Sequence, residues 1–295
     1  MLEALRNLLT PENVAEPAVS DDKVTLRLVL QRDWFELWYQ PKIELRTKRL
    51  VGAEALVRAR RPDGSLVSPG VFLPGAGEED MFALTERVIL TALRDYEDCA
   101  ALGVHLKLSV NVPVSALVKL PIVQILREER PVAPDWPGLI LEVTEDEAMK
   151  DLEIANNIAK ELRDLDCSLA LDDFGAGYSS LARLRELPFS ELKIDRSYVS
   201  GCDSDKVNAG LCETIIELAK RFQLKSVAEG IETVHESHKL QGLGCDIGQG
   251  YLFAKPMPKA QLLGTLNRRL GGSSQSAGAP HSSPSGFLKG LFGAT

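Results

Sequence analysis

Apolar, β-branched runs alternate along the chain with longer segments of helical periodicity. The predicted strands are 35–45, 50–59, 105–112, 139–145, 168–174, 191–195, 224–230 and 245–253. The predicted helices are 79–101, 147–166, 204–222 and 233–242, the third with Asp203 or Ser204 as its cap. Strands that are apolar on both sides indicate a mostly parallel sheet covered by helices.

The number and spacing of these elements favour one fold. Eight strands in about 250 residues match a (β/α)8 barrel better than a doubly wound sheet. The link between the first two strands is too short for a helical crossover, so one of the two is expected to run antiparallel. The predicted fold is therefore an α/β, modified TIM (β/α)8 barrel with one antiparallel strand.

The two ends of the chain differ from the region between them. Residues 1–24 predict a short helix and a linker, and residues 25–270 form the predicted barrel domain. Residues 271–295 are rich in Gly, Ser and Pro and are predicted to be disordered, with a short apolar stub at the end. That stub is either a frayed end or a segment that docks on a partner or a membrane surface.

Composition narrows the class of partner. The net charge of −8 and the pI near 5.2 argue against a surface that coats DNA or RNA, although a nucleotide held through metal ions stays possible. The five cysteines include no CxxC pair, which indicates reduced thiols and no zinc site. No apolar run approaches the roughly 18 residues of a transmembrane segment, and no secretory signal opens the chain. We therefore expect a cytoplasmic location.

Polar residues follow or end most of the predicted strands. In chain order they are Glu54, Asn111, Glu142, Asp172, Asp173, Lys193, Glu229 and Gln249. In a TIM barrel such residues meet at the C-terminal mouth, where active sites lie. Oxygen ligands without His or Cys favour Mg²⁺ or Mn²⁺. A pair of such ions about 3.5–4 Å apart suits phosphate-ester hydrolysis.

Strand parity refines these assignments. Glu54 and Arg58 share one face, which would bring a guanidinium group to a substrate phosphate. Asp172 and Asp173 cannot both point inward from a regular strand. Asp173 is therefore expected where the chain already bends, a bend that Gly175 and Gly177 would permit.

Eight ordered segments carry a resemblance to a known family. They are "YQPK" (39–42), "GAEALVR" (52–58), "SVNV" (109–112), "LEVTE" (141–145), "DDFGAGYSSL" (172–181), "ELKIDRSYV" (191–199), "VAEGIET" (227–233) and "GQGYLFAKPMP" (248–258). Over about residues 25–268 the chain resembles the EAL family of cyclic-di-GMP phosphodiesterases. The resemblance implies a TIM-like barrel, usually dimeric, that hydrolyses cyclic di-GMP to linear pGpG with Mg²⁺ or Mn²⁺.

The resemblance also implies roles for individual residues. The implied metal ligands are Glu54, Asn111, Glu142, Asp172, Asp173 and Glu229. Lys193 would position or deprotonate the attacking water, forming the catalytic set with Glu54, Asp172 and Asp173. The implied substrate contacts are Arg58, Gln249, Glu232, Gln40 and Leu56, and Glu145 would anchor the loop after Asp173. One departure from the family pattern is Lys42, which stands where an aliphatic residue is usual.

Two hypotheses about function follow. The first is an active phosphodiesterase, inhibited by Ca²⁺ because a larger, looser coordination shell misplaces the attacking water. The second is a catalytically silent cyclic-di-GMP receptor that signals to a protein partner through its tails. A metal-dependent lyase or aldolase barrel would leave the Asp172–Asp173 pair unexplained. A homodimer is expected, through helix 204–222 and the loop after Asp173.

Overall fold

A computed structural model gives the structure of residues 24–133, 135–144, 152–175 and 189–273. The strands in these ranges are β1 (Phe35–Glu44), β2 (Leu50–Arg60), β3 (Leu66–Val67), β4 (Lys107–Asn111), β5 (Leu139–Thr144), β6 (Ser168–Phe174), β7 (Phe189–Ile194), β8 (Lys225–Ala228), β9 (Ile247–Gly248) and β10 (Met257–Pro258). The helices are α1 (Leu26–Gln31), α2 (Pro69–Phe72), α3 (Glu78–Ala101), α4 (Val114–Lys119), α5 (Ile122–Glu129), α6 (Leu152–Arg163), α7 (Arg196–Val199), α8 (Lys206–Arg221), α9 (Val234–Leu243) and α10 (Lys259–Ser273).

Eight of these strands close into a barrel in the order β1-β2-β4-β5-β6-β7-β8-β9, because β1 pairs with both β9 and β2. β1 runs antiparallel to both of these neighbours, and the other barrel pairs are parallel. The two short strands β3 and β10 add antiparallel pairings to β2 and β1. The predicted modified TIM barrel with one antiparallel strand is confirmed, and the antiparallel strand is the first.

The hairpin of β1 and β2 extends beyond the barrel. The two strands pair from Phe35–Ala59 to Ile43–Leu50, whereas β2 pairs with β4 only over residues 52–55. Glu54 is therefore not at the end of its strand, as the sequence suggested, but one residue before Ala55, the last residue of β2 that pairs with β4. The following residues of β2 form one side of a two-stranded ribbon above the mouth.

The apolar core lies between the strands and the helices. In β6, Leu169 and Leu171 are fully buried on this outer side, while Asp172 belongs to the opposite, inward face. The inner face of the sheet therefore holds the polar residues. The five cysteines are all buried and unpaired.

A buried polar contact joins the first strand to two helices in this outer layer. The Tyr39 hydroxyl of β1 donates to Asp95 of α3 at 2.5 Å. Lys259, the first residue of α10, lies 2.8 Å from both Asp95 and Asp98. This network fixes the C-terminal helix against the barrel.

Several predicted boundaries differ from the structure. Helix α8 begins at Lys206 and is capped by Asp205, which accepts from the Val207 amide at 2.7 Å, so the prediction of Asp203 or Ser204 as the cap is wrong. Ser204 instead donates to the Gly201 carbonyl in the preceding turn. The last predicted strand, 245–253, is reduced to the two residues of β9.

Other predictions fall partly or wholly outside the described residues. Most of the predicted N-terminal segment and of the C-terminal tail belongs to 1–23 and 274–295, and α10 continues to Ser273, past the predicted boundary at residue 270. Among the described helices, none is both long and apolar enough to cross a membrane.

Candidate functional site

Lys193 stands among four carboxylates at the mouth of the barrel. Its side chain points inward from β7 and is 1% exposed. Its Nζ lies 2.6 Å from Glu142 Oε2 and Glu229 Oε1, 3.0 Å from Asp172 Oδ1 and 3.9 Å from Glu54 Oε1. The parallel strands thus bring together five of the predicted site residues, which are up to 175 positions apart in the chain (229 minus 54).

This crowding lowers the pKa of one carboxyl group and raises the pKa of two others. Burial would raise the pKa of Glu142, but the ammonium groups of Lys193 and Lys42 hold that pKa well below its usual range. Burial raises the pKa of Glu229 to about 8, against the opposing effect of Lys193. Burial also raises the pKa of Glu54. The two ammonium groups therefore do not neutralise the whole cluster, and the site favours a further cation.

The adjacent aspartates face the site through a distorted strand end. Asp173 has φ 55°, in the left-handed region, and its amide donates to Asp172 Oδ1 at 2.9 Å. The pairing with β7 shifts register between Leu171 and Phe174. The bend predicted at Asp173 is therefore present, and Gly175 follows it with φ 99°.

The two carboxylates at this bend and the one that follows β8 fit a metal ion. Asp172, Asp173 and Glu229 each offer an oxygen, and these oxygens lie within 4.8 Å of one another. Carboxylate oxygens without His or Cys are the ligands of hard divalent cations. Burial raises the pKa of Asp173, and repulsion from Asp172 and Asp195 raises it further, so a divalent ion there would offset this repulsion.

A chain of hydrogen bonds orients Glu54 on the opposite side of the mouth. Asn111 Nδ2 donates to Glu54 Oε1 at 2.8 Å, and Gln249 Nε2 donates to Glu54 Oε2 at 2.6 Å. Gln249 also donates to Gln40 Oε1 at 3.0 Å, and Gln40 donates to the Ala254 carbonyl at 3.1 Å. Within the described residues, the buried Gln249 Oε1 has no hydrogen-bond partner. It is free to accept from a water molecule or a ligand.

A cavity of about 260 Å³ opens above these groups. It is lined by Gln40, Glu54, Leu56, Arg196, Glu229, Gly230, Glu232, Gln249, Gly250 and Tyr251. Four of the five predicted substrate contacts therefore line one cavity: Gln40, Leu56, Glu232 and Gln249. Arg58 is not part of this lining. It is half-buried beside it and donates to the Val57 carbonyl at 2.7 Å.

Sequence reasoning missed two side chains of this cavity. Arg196 forms a 2.5 Å ion pair with Glu232, and its stem packs where a Cβ on Gly230 would lie 2.3 Å from Arg196 Cγ. Tyr251 is exposed, and Lys255 Nζ lies 5.5 Å from its ring centre. Both residues come within three positions of a polar strand end, in "KIDR" and "GQGY", and that position is the signal that could have identified them.

A second buried lysine was also not expected here. Lys42 of β1 reaches Glu142 Oε1 at 2.8 Å and Glu191 Oε2 at 3.1 Å. The predicted loop anchor, Glu145, and most of the loop that it would hold lie outside the described residues.

Comparison with known proteins identifies the family. The model of the EAL domain matches residues 23–256. MucR of Pseudomonas aeruginosa, named a bifunctional diguanylate cyclase/cyclic di-GMP phosphodiesterase, is 37% identical over 82% of this chain and 36% of its own length. Cyclic di-GMP phosphodiesterase PA2567 of the same organism is 36% identical over 79% of this chain and 40% of its own length.

A solved structure gives the same result. The structure described as "PaMucR Phosphodiesterase, c-di-GMP complex" superposes with a TM-score of 0.72 at 36% identity, covering 80% of this chain and 97% of the other. The chain belongs to the EAL domain family. It spans well under half the length of the two curated relatives.

Proposed function

We propose that this chain hydrolyses one phosphodiester bond of cyclic di-GMP to give linear pGpG, using two Mg²⁺ or Mn²⁺ ions. The observation that carries the proposal is the set of carboxylates from four strands of the barrel that converge around Lys193, with three carboxylate oxygens within 4.8 Å of one another. The cavity above them and the phosphodiesterase names of the relatives support the same substrate class.

The proposed ligands divide into two groups. Glu54, Asn111, Glu142 and Asp172 would hold one ion, and Asp172, Asp173 and Glu229 would hold the other. Bound there, the ions would stabilise charge on the scissile phosphate and make a bound water more acidic.

The remaining residues of the site would bind and orient. The Lys193 ammonium group holds the carboxylates of Glu142, Asp172 and Glu229 around one point. A water molecule bound near those carboxylates would also contact this ammonium group. Gln249 fixes Glu54 and offers its free Oε1 to a second hydrogen bond. Arg58 and Arg196 supply positive charge at the rim for the phosphates.

One reaction tests the proposal. Purified protein is incubated with cyclic di-GMP and Mg²⁺ or Mn²⁺, and the nucleotides are separated by chromatography. We expect pGpG from the unaltered chain and none from Glu54→Gln. Glu217→Gln, on the exposed surface of α8, is the matched control and should retain turnover.

The second candidate function is a receptor that binds cyclic di-GMP without cleaving it and signals to a protein partner through the tails. Binding with no product after prolonged incubation in either metal would favour it. With Ca²⁺ in place of Mg²⁺ we expect binding without turnover, because the looser coordination shell misplaces the water. Rapid cleavage in Ca²⁺ would contradict this explanation of Ca²⁺ inhibition.

We also propose that the chain acts as a homodimer in the cytoplasm. Helix α8 and its neighbour α9 expose Val207, Leu211 and Val234, apolar side chains that a second copy could cover. Sedimentation of Leu211→Glu beside the unaltered chain tests the dimer, which the charge should weaken.

Five unpaired thiols fit a reducing compartment, and cell fractionation tests the location.

A further inference from the structure

Glu142 is held from two sides by two different lysines. Its Oε2 lies 2.6 Å from Lys193 Nζ, on the side of the mouth. Its Oε1 lies 2.8 Å from Lys42 Nζ. Both lysines and Glu142 are at most 2% exposed, so these ion pairs are buried.

The fold leads Lys42 to this position. Because β1 runs antiparallel to its neighbours, the C-terminal end of β1 lies at the end of the barrel opposite the mouth. Lys42 is near that end and therefore enters the barrel below the mouth. Its cross-strand partner is Gly52, where a Cβ would lie 2.6 Å from the Lys107 carbonyl oxygen and 3.9 Å from Lys42 Cβ. The β4 backbone therefore excludes a side chain at Gly52, and the stem of Lys42 lies beside this bare position.

A second carboxylate completes the arrangement. Glu191 lies two residues before Lys193 on β7 and therefore faces inward one level lower. Its Oε2 is 3.1 Å from Lys42 Nζ. A buried ammonium between two carboxylates is paired, whereas the removal of Lys42 alone would leave two buried anions uncompensated.

We propose that Lys42 is a positioning residue for Glu142. By occupying Oε1, it leaves Oε2 as the one oxygen directed at the mouth, so that Glu142 can act as a ligand through a single oxygen. The part of this inference that concerns metal rests on the proposed function. Glu191 balances the charge of Lys42 and does not itself face the mouth.

The lower end of the barrel makes the inference testable by chemical rescue. A cavity of about 310 Å³ reaches Lys42 and Glu191 and is lined by residues near the starts of parallel strands, among them Lys107, Ser190 and Lys225. This cavity is therefore on the opposite side from the mouth. A small amine could enter through it and replace a truncated lysine.

The test compares Mn²⁺ binding and turnover in Lys42→Ala with those in the unaltered chain. Mn²⁺ binding is followed by electron paramagnetic resonance without nucleotide. We expect a loss of about tenfold in Mn²⁺ affinity, the usual effect of removing a partner that orients a ligand. We also expect a fall in kcat with a smaller change in KM for cyclic di-GMP. Ethylammonium should restore part of both, and tetramethylammonium, which has no N–H donor, should restore neither.

Two further variants keep the test decisive. Lys42→Met/Glu191→Gln removes both buried charges together, so it should fold even where Lys42→Ala does not, and it should show the same loss of Mn²⁺ affinity. Lys48→Ala, a lysine of the exposed turn between β1 and β2, should change nothing. A folded double variant that binds Mn²⁺ like the unaltered chain would overturn the role of Lys42 but not the proposed function. Failure of the unaltered chain to bind Mn²⁺ would overturn the proposed function and this role together.

Discussion

The sheet buries both of its faces, yet the two faces have opposite chemistry. On the outer face, Leu169 and Leu171 pack against the helical layer and are fully buried. On the inner face, Asp172 lies beside an ammonium group and other carboxylates. Burial on the outer face stabilises in proportion to apolar area, whereas burial on the inner face has a desolvation cost that only pairing offsets. Alternate residues of one strand therefore serve two purposes: those on the outer face stabilise the fold, and those on the inner face form the candidate site.

Asp172→Asn and Leu171→Ala are the strongest test of this separation. Asp172→Asn should lower kcat by about a thousandfold, the size of losing one group that stabilises the transition state, and should change stability little. Leu171→Ala should lower the free energy of unfolding by about 3 kcal/mol and retain kcat while folded. Denaturant unfolding and steady-state kinetics measure the two effects. Equal loss of kcat in both variants would contradict the comparison.

Lys193→Met tests whether a cation is what stabilises the inner face. Without metal, the variant leaves four carboxylates around an apolar side chain, which should cost about 3–5 kcal/mol. Mn²⁺ should recover much of that loss because it replaces the missing charge. Thermal unfolding in chelator and in Mn²⁺ measures this, and the Mn²⁺-induced rise in Tm should be larger than for the unaltered chain. An equal rise in both proteins would argue against a shared cation site.

Tyr39→Phe examines a polar contact in the outer layer. The variant removes the hydroxyl that donates to Asp95 and leaves the contact between Asp95 and Lys259 in place. We expect a loss of about 1–2 kcal/mol in the free energy of unfolding and no change in kcat. Tyr251→Phe, on the exposed rim, is the matched control for stability. A large fall in kcat for Tyr39→Phe would show that the two layers are not independent.

Glu236→Gln should give the smallest effect, and one that depends on pH. Glu236 accepts hydrogen bonds at 2.9 Å from the amides of Gly201, Glu232 and Thr233. Burial opposes these bonds, but they lower the pKa of Glu236 below its usual 4.5. Its contribution is therefore complete above the unfolded value and is lost as the pH falls through the lower, folded value.

We expect the variant to be about 1 kcal/mol less stable at pH 7, as for a lost helix cap, and closer to the unaltered chain near pH 3. Denaturant titrations at several pH values measure the difference. A difference that grows as the pH falls would have the wrong sign.

Much of the fold was predictable because it repeats. Alternating strands and helices indicated the barrel, and the short link after Glu44 indicated the antiparallel strand. The bend at Asp173 followed from strand parity alone. The short helices α4 and α5 were missed because they are six and eight residues long and begin after Pro113 and Pro121, which resemble loop signals.

The interior of the barrel was harder to predict than its rim. A lysine in a strand ordinarily indicates a solvated position, and nothing local reveals that Lys42 is paired with Glu191, 149 residues further along the chain. The cross-strand neighbour of Lys42 is Gly52, where the β4 backbone leaves no room for a side chain. Such contacts depend on which residues meet across the closed sheet, and that is set by register, not by periodicity.

Because all five cysteines are buried, their reaction with a thiol reagent would report local unfolding of the chain. Burial raises the pKa of Cys99 to about 11 and that of Cys245 to about 12, so a thiol-alkylating reagent at neutral pH would find almost no thiolate in the native state. Cys167 lies before β6, Cys202 lies in the turn before α8, and Cys212 lies within α8. The order in which these thiols become modified would therefore map which part of the helical layer separates from the barrel first.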